Sequence, residues 1–282
     1  MRKRSFENNN SILYLVATPI GNLDDFSLRA IETLKSVDKI YAEDTRNSSV
    51  LLRHYNINTK LESYHEFNQD IKTNDILNEL KNGLNIAIIS DAGLPVISDP
   101  GYKIAKEAIN NDIVVTTIPG ASAGISALVS SGLVPKPFTF YGFLESQKTK
   151  RIEELKELKY LKHTLIFYEA PHRIFDTLKD MLDIFGDRDI VIARELTKKF
   201  EEYIRGKISD ILELDNIKGE IVLLVSGYKE EKIDINPFEK IDELINLNMK
   251  PNEAIKEVSR LINKDRKELY KEYIYYKNQR KV

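Results

Sequence analysis

The sequence predicts an α/β fold built as two α/β domains, residues 11–131 and 138–228, followed by a small helical region over 238–282. Three observations carry this reading. Short apolar runs alternate with stretches of helical spacing through most of the chain, the pattern of strands separated by helices. The segment GLVPKPF (132–138), with one Gly and two Pro between patterned stretches, divides that series as a hinge would. The charged, proline-ended KEEKIDINP (229–237) reads as a linker, and beyond it only helical patterning continues.

In the first series, ILYLVA (12–17) is a buried strand, and Ser27 opens a helix with Leu28, Ile31, Leu34 and Lys35 at helical spacing. KIYAE (39–43), NIAIIS (85–90) and IVVTTI (113–118) continue the strands, with helices over about 71–80 and 102–109 between them. Their continuous apolar character implies a mostly parallel sheet covered on both faces. In the second series FTFYGF (138–143), HTLIFYE (163–169), DIVIARE (189–195) and GEIVLLVSG (219–227) are strands, with helices over 151–158 and 174–185. The tail reads as helix, a break at Asn263-Lys264, then helix, a helix-turn-helix grammar of low specificity.

Composition removes several classes of function. Cysteine is absent, which excludes a disulfide framework, a thiolate zinc site and a cysteine nucleophile, and four His with no paired spacing predict no metal. The 42 basic residues nearly cancel 44 acidic ones, so no overall positive field gathers nucleic acid and any such contact must use a local patch. MRKRSFENNN lacks the apolar stretch of a secretory signal, and no run approaches a membrane span. A cytoplasmic protein without membrane contact is expected.

Chemistry is expected where strands run into loops, since open α/β sheets bind ligands outside the carboxyl ends of their strands. Six such loops stand out: VATPIGNL (16–23), AEDTR (42–46), SDAGLPVISDPG (90–101), IPGASA (118–123), YEAPHR (168–173) and ARELTKK (193–199). One Pro/Gly loop is usually only a turn; six on one edge are harder to dismiss. No G-x-G-x-x-G follows a strand and no G-x-x-x-x-G-K-[ST] occurs, which disfavours a dinucleotide dehydrogenase and a P-loop NTPase. The 90–101 loop instead spreads two Gly, two Pro and two Asp over a stiff turn able to wrap a small molecule with main-chain groups.

This set, LYLVATPIGNLDD, AEDTR, SDAGLPVISDPG, YEAPHR and ARELTK in this order, resembles the tetrapyrrole methylase superfamily of S-adenosylmethionine enzymes. It is most similar to the bacterial ribosomal small-subunit methyltransferase I family, which methylates a cytidine ribose 2′-hydroxyl in 16S rRNA. The resemblance runs from about residue 13 to 227 and implies a class III, tetrapyrrole-methylase-like pair of α/β domains with the donor in the cleft between them. It also implies a homodimer and, as partner, 16S rRNA or the assembled small subunit near its decoding region. Carried onto this sequence, S-adenosylmethionine would meet Asp91, Ala92, Gly93, Leu94, Pro95, Val96, Ser122, Ala123, Phe143, Leu144, Glu195 and Leu196. Phe143 and Leu144 would serve equally well as core.

A ribose hydroxyl is a poor nucleophile while protonated, so a base or a neighbouring cation is expected beside the donor. Asp44, Arg46, Glu195 and Lys198 are the catalytic candidates; Lys198 suits a base only if burial or the adjacent Lys199 lowers its pKa. His172 reads rather as a supporting hydrogen-bonding residue. Arg173 is an RNA-phosphate candidate, with an ion pair to Glu169 as the alternative. In the tail, seven Lys/Arg between 264 and 282, interleaved with tyrosines, suit RNA phosphates and unpaired bases; Lys267, Lys271 and Lys277 are the RNA-binding candidates. Two other readings remain: the same fold acting on a tetrapyrrole or protein side chain, and a non-enzymatic RNA-binding module.

Overall fold

The computed structural model describes residues 11–230, 236–262 and 264–279. The chain divides into two compact units, Met1–Tyr228 and Lys229–Val282.

The first unit contains two five-stranded sheets. Strands β1 (Ile12–Val16), β2 (Lys39–Ala42), β3 (Lys60–Ser63), β4 (Ile86–Ile89) and β5 (Val114–Ile118) form the first, in the order β3-β2-β4-β1-β5. Every pairing in it is parallel. Helices α1 (Leu28–Ser36), α2 (Thr45–His54), α3 (Gln69–Lys81) and α4 (Tyr102–Asn110) connect the strands. One apolar cluster packs Leu34 and Leu52 against Val16, Ile40 and Ile89; a second packs Ile76, Leu80 and Ile104 against Leu13, Tyr41 and Ile88. Both faces of the sheet are therefore covered, which is why its central strands are apolar along their length. The Ser27 hydroxyl accepts the Ala30 N–H and caps α1.

Strands β6 (Phe138–Phe143), β7 (Thr164–Glu169), β8 (Asp189–Arg194), β9 (Glu202–Lys207) and β10 (Ile221–Val225) form the second sheet, in the order β6-β7-β10-β8-β9. Here β6 and β7 are parallel, but β10 runs antiparallel to both neighbours and β9 antiparallel to β8. Helices α6 (Lys148–Leu158), α7 (Ile174–Phe185) and the short α8 (Ile208–Leu212) cover one face. The other face is covered by α5 (Ala123–Ser131), which follows the first sheet in the chain yet packs Ala127 and Leu128 against Ile166, Val191, Val222 and Leu224. The segment read as a hinge is fastened: the Thr164 hydroxyl donates to Val134 O at 2.6 Å, and Arg205 donates to the carbonyls of Ser130 and Ser131.

Two strands, β3 and β9, were not expected from the sequence; each is an edge strand paired on one side only. KLES and EYIRGK carry little of the apolar run or strict alternation that marks a buried strand. Helices α2, α5 and α8 were also unread, α2 because its first turn, TRNSS, is polar.

In the second unit α9 (Pro237–Asn246), α10 (Pro251–Leu261) and α11 (Arg266–Gln279) share a small core of Ile241, Ile255, Val258, Leu269 and Tyr273. Most of the linker (231–235), Asn263 at the expected break, and Arg280 and Lys281 of the basic tail lie outside the described residues.

Candidate active site

In a parallel sheet all carboxyl ends point to one edge, so the loops after β1, β2, β4 and β5 converge there. Thr18 and Gly93 form an antiparallel bridge joining the first and third of these loops. The Thr18 hydroxyl, buried, donates to Ser90 O at 3.1 Å. Gly93 has φ +80°, a conformation that costs a side-chain-bearing residue. The second sheet presents the carboxyl ends of β6, β7 and β8. Because β10 is antiparallel, Ile221 stands opposite Glu169 and Arg194, and the amino end of β10 joins the same edge.

Between these edges lies a cleft of ≈ 610 Å³. Of the residues expected to meet a donor, Ala92, Gly93, Leu94, Ser122, Ala123, Phe143, Glu195 and Leu196 line it. Asp91, Pro95, Val96 and Leu144 do not. Asp91 turns to the β2–α2 loop, accepting the Asp44 N–H at 3.3 Å and the Asn47 side-chain amide at 2.8 Å. Val96, at φ +79°, faces a neighbouring groove, and Pro95 is buried. Phe143 is 56% exposed and Leu144 only 2%, so adjacent residues divide between site and core. Four non-glycine residues with positive φ, Val96, Ser98, Glu195 and Thr197, sit on the two loops flanking the cleft; such backbone strain concentrates at functional sites.

Among the catalytic candidates, Glu195 and Lys198 line the cleft and Asp44 and Arg46 do not. Asp44 caps α2 through the Arg46 N–H at 2.8 Å and pairs with the Arg46 guanidinium at 2.6 Å. The Arg46 side-chain and main-chain donors hold the Asp44 carboxyl down at about 2. Arg46 itself is exposed.

Lys198 Nζ lies 3.1 Å from Glu195 Oε1 and 3.0 Å from Glu220 Oε2. Burial pulls its pKa down, but the carboxylates of Glu220 and Glu195 outweigh that pull and the net direction is up. This is the opposite of what a lysine base needs, and Lys198 stands as a fixed cation. Glu195 Oε1 also accepts the Glu220 N–H at 3.0 Å; that bond and Lys198 lower its pKa. Gly219, at φ +90°, permits the arrangement: a Cβ there would stand 2.5 Å from Glu195 Cγ.

One carboxylate that the sequence reading did not single out also lines the cleft. Asp99, half-buried in the cleft wall, is pushed up to about 7 by burial and then by the charges of Glu43 and Asp91, against a hydrogen bond from Ser90. It lies within the SDAGLPVISDPG loop, and that loop's second Asp was the available signal. Residues 219–222 and Tyr168 were missed for a different reason: a parallel-sheet expectation puts the site at the far end of the GEIVLLVSG strand.

Arg173 makes the intradomain ion pair that is the alternative to its RNA-binding reading. It pairs with the buried Glu169 and donates to Leu144 O at 2.9 Å. It lines a separate recess of ≈ 490 Å³ with His172. In the second unit Lys277 pairs with Asp242 at 2.7 Å and lies over the Tyr273 ring. Lys267 and Lys271 are exposed, and on α11 they share a face with the exposed Tyr270, Ile274 and Tyr275. Among the described residues no group of three or more acidic or imidazole side chains is placed to hold a metal ion, and no helix is long and apolar enough to cross a membrane.

Residues 12–212 match the tetrapyrrole (corrin/porphyrin) methylases. The ribosomal RNA small subunit methyltransferase I of Bacillus subtilis (strain 168) is 47% identical over 285 residues, covering 96% of this chain and 98% of its own. The protein of that name from Vibrio cholerae serotype O1 is 46% identical over 234 residues, covering 80% and 81%. Among solved structures, a diphthine synthase superposes with TM-score 0.60 at 12% identity, over 77% of this chain and 90% of its own. A uroporphyrin-III-C-methyltransferase from Thermus thermophilus superposes with TM-score 0.55 at 18% identity, over 77% and 94%. At those identities the likeness is one of fold.

Proposed function

The chain belongs to the tetrapyrrole methylase family and, within it, to the ribosomal RNA small subunit methyltransferase I proteins, and from that premise we propose that it methylates the ribose 2′-hydroxyl of a cytidine in 16S rRNA, using S-adenosylmethionine held in the cleft. The observation that carries this reading is the cleft itself, walled by the same loops whose sequence matches the family. It acts as a cytoplasmic homodimer on 16S rRNA or on the assembled small subunit.

The residues present fit the donor in size, charge and hydrogen bonding. A volume of ≈ 610 Å³ is in the range of small-molecule sites. The carboxylates of Asp99, Glu195 and Glu220 suit its sulfonium and ammonium charges. Ser122 makes no side-chain cap to α5, which leaves the positive end of that helix available to a carboxylate although the Gly124 N–H is engaged by Tyr168. Leu94, Ile97, Phe143 and Leu196 offer apolar walls for adenine.

When bound, the donor supplies an electrophilic methyl group. The chain's contribution is mainly alignment, since holding the two reactants in line lowers much of the barrier. Asp99 takes the proton that the ribose hydroxyl loses, having the only carboxyl in the cleft wall raised toward neutrality among the described residues. Lys198, fixed between Glu195 and Glu220, locks the loop after β8 to the start of β10 and steadies the cleft floor. Asp44 and Arg46 act one layer out, holding the β2–α2 loop against Asp91.

The test is ribose-methylation mapping of 16S rRNA from cells with and without the protein, paired with labelled donor and purified small subunits. One cytidine should lose its 2′-methyl group in the deletion and regain it in vitro. Labelling of a porphyrinoid precursor instead, with no rRNA product, would overturn the assignment of the acceptor.

A further inference from the structure

A second groove, of ≈ 730 Å³, opens beside the cleft, and the two share Ser98 and Asp99. Its other walls are Glu43 at the end of β2, Glu66 and Gln69 at the start of α3, and the first two turns of α4 with Tyr102, Lys103, Lys106 and Glu107. We propose that this groove seats the acceptor nucleotide, with Tyr102 as its stacking face and Glu43 and Glu66 as acceptors for an exocyclic base amine. The proposal rests on the donor occupying the main cleft.

Continuity is the first argument. A nucleoside in this groove sets its ribose at the junction that Ser98 and Asp99 form with the cleft, where its 2′-hydroxyl faces both the donor and the proton acceptor assigned above.

Charge is the second. Glu43, Glu66, Asp99 and Glu107 face the groove, while Lys103 is engaged by Asp70. That leaves Lys106 as the lysine on this wall without an acidic partner among the described residues, its ammonium 5.8 Å from the Tyr102 ring centroid. A deep phosphate would be repelled. A neutral base and sugar presenting N–H and O–H donors are accepted, with the flanking phosphate left at the Lys106 rim. Glu43 and Glu66 make no hydrogen bond or ion pair of their own among the described residues. A carboxylate accepts from the N4 amine of cytosine, whereas uracil sets a carbonyl oxygen in that place. The groove thus discriminates by repulsion as much as by attraction.

Stacking is the third. Tyr102 is 66% exposed at the head of α4, and an exposed aromatic ring with a lysine beside it is the arrangement single-stranded nucleic acid uses.

The experiment compares wild type, Tyr102→Ala, Tyr102→Phe and Glu43→Gln. Donor affinity is read by calorimetry, and KM is read on unmodified small subunits carrying either the native cytidine or a uridine at the target. Tyr102→Ala should raise KM on the order of tenfold and Tyr102→Phe should restore it, with donor Kd within twofold throughout. Glu43→Gln should narrow the preference for cytidine over uridine, since an amide donates to the uracil carbonyl. If the donor binds wild type normally, yet Tyr102→Ala leaves KM unchanged and Glu43→Gln leaves the base preference intact, the groove is not the acceptor seat. Failure of wild type itself to bind donor would instead remove the reading of the cleft, and the groove proposal with it.

Discussion

Thr18 and Gly93 exchange two main-chain hydrogen bonds, Thr18 N–H to Gly93 O at 2.8 Å and Gly93 N–H to Thr18 O at 3.1 Å, across 75 residues of sequence. The bridge fixes the loop after β4 against the loop after β1 on the cleft side of the sheet.

Gly93→Val should therefore disturb donor binding through backbone conformation. At φ +80° a β-branched residue costs about 1–3 kcal/mol, and roughly 1.4 kcal/mol is a factor of ten in affinity. Calorimetry should show donor Kd raised on the order of tenfold. Thr18→Val keeps both main-chain bonds, loses the hydroxyl's bonds to Ser90 O and Gly93 O, and should move donor affinity far less. Equal affinities for wild type and Gly93→Val would show that this loop does not hold the donor.

Lys198 should behave as a fixed cation. Lys198→Arg should retain most turnover, while Lys198→Ala leaves Glu195 and Glu220 uncompensated and lowers turnover more than donor affinity. Gly219→Ala should mimic that loss without touching either charge, because its methyl displaces the Glu195 side chain. A full loss of rate in Lys198→Arg, together with a basic limb near the lysine range in wild type, would restore lysine as the base.

Asp99 gives a pH signature of defined sign. Only its carboxylate form accepts a proton, so kcat/KM should rise with pH through about 7 and level off above. Stability should move the other way. The folded chain holds this proton more tightly than the unfolded one, whose Asp titrates near ~4, so stability falls as pH climbs from about 4 to about 7. The groups that act on Asp99 are Glu43, Asp91 and the Ser90 hydroxyl, with the Tyr168 phenol close enough to feel its charge. Asp99→Asn should depress the rate and flatten both limbs; a rate–pH limb that survives in Asp99→Asn excludes this carboxyl as its source.

The lysines of the second unit should separate by role. Reversing Lys267 and Lys271 to Glu should weaken subunit binding and reduce its log–log salt slope by about 1.4, if each meets one single-strand phosphate at ~0.7 per contact. Lys277→Ala removes the Asp242 ion pair and should lower the melting point of the helical unit with the salt slope unchanged. A salt slope that ignores the Lys267/Lys271 reversal would mean α11 does not dock RNA.

Eight of the ten strands among the described residues were legible because each carries a run of apolar and β-branched residues, continuous in the covered strands ILYLV and IVLLV and still present in the edge strands VVTTI and FTFYGF. The edge strands KLES and EYIRGK were illegible because charged residues interrupt any such run in them. Local signals also placed the Ser27 cap and the six loops.

The sequence by itself determined the two α/β series, the family-matching loops and the residue types that the cleft would draw upon. Which of those residues face one another was decided only in three dimensions. The antiparallel insertion of β10 carries Gly219 and Glu220 to Glu195, and helix α5 crosses to cover the second sheet. The burial that lifts Asp99 and the carboxylates that hold Lys198 charged come from elements far apart in the chain. A proton affinity depends on the distance to every neighbouring charge and on exclusion of water, and residue order specifies neither.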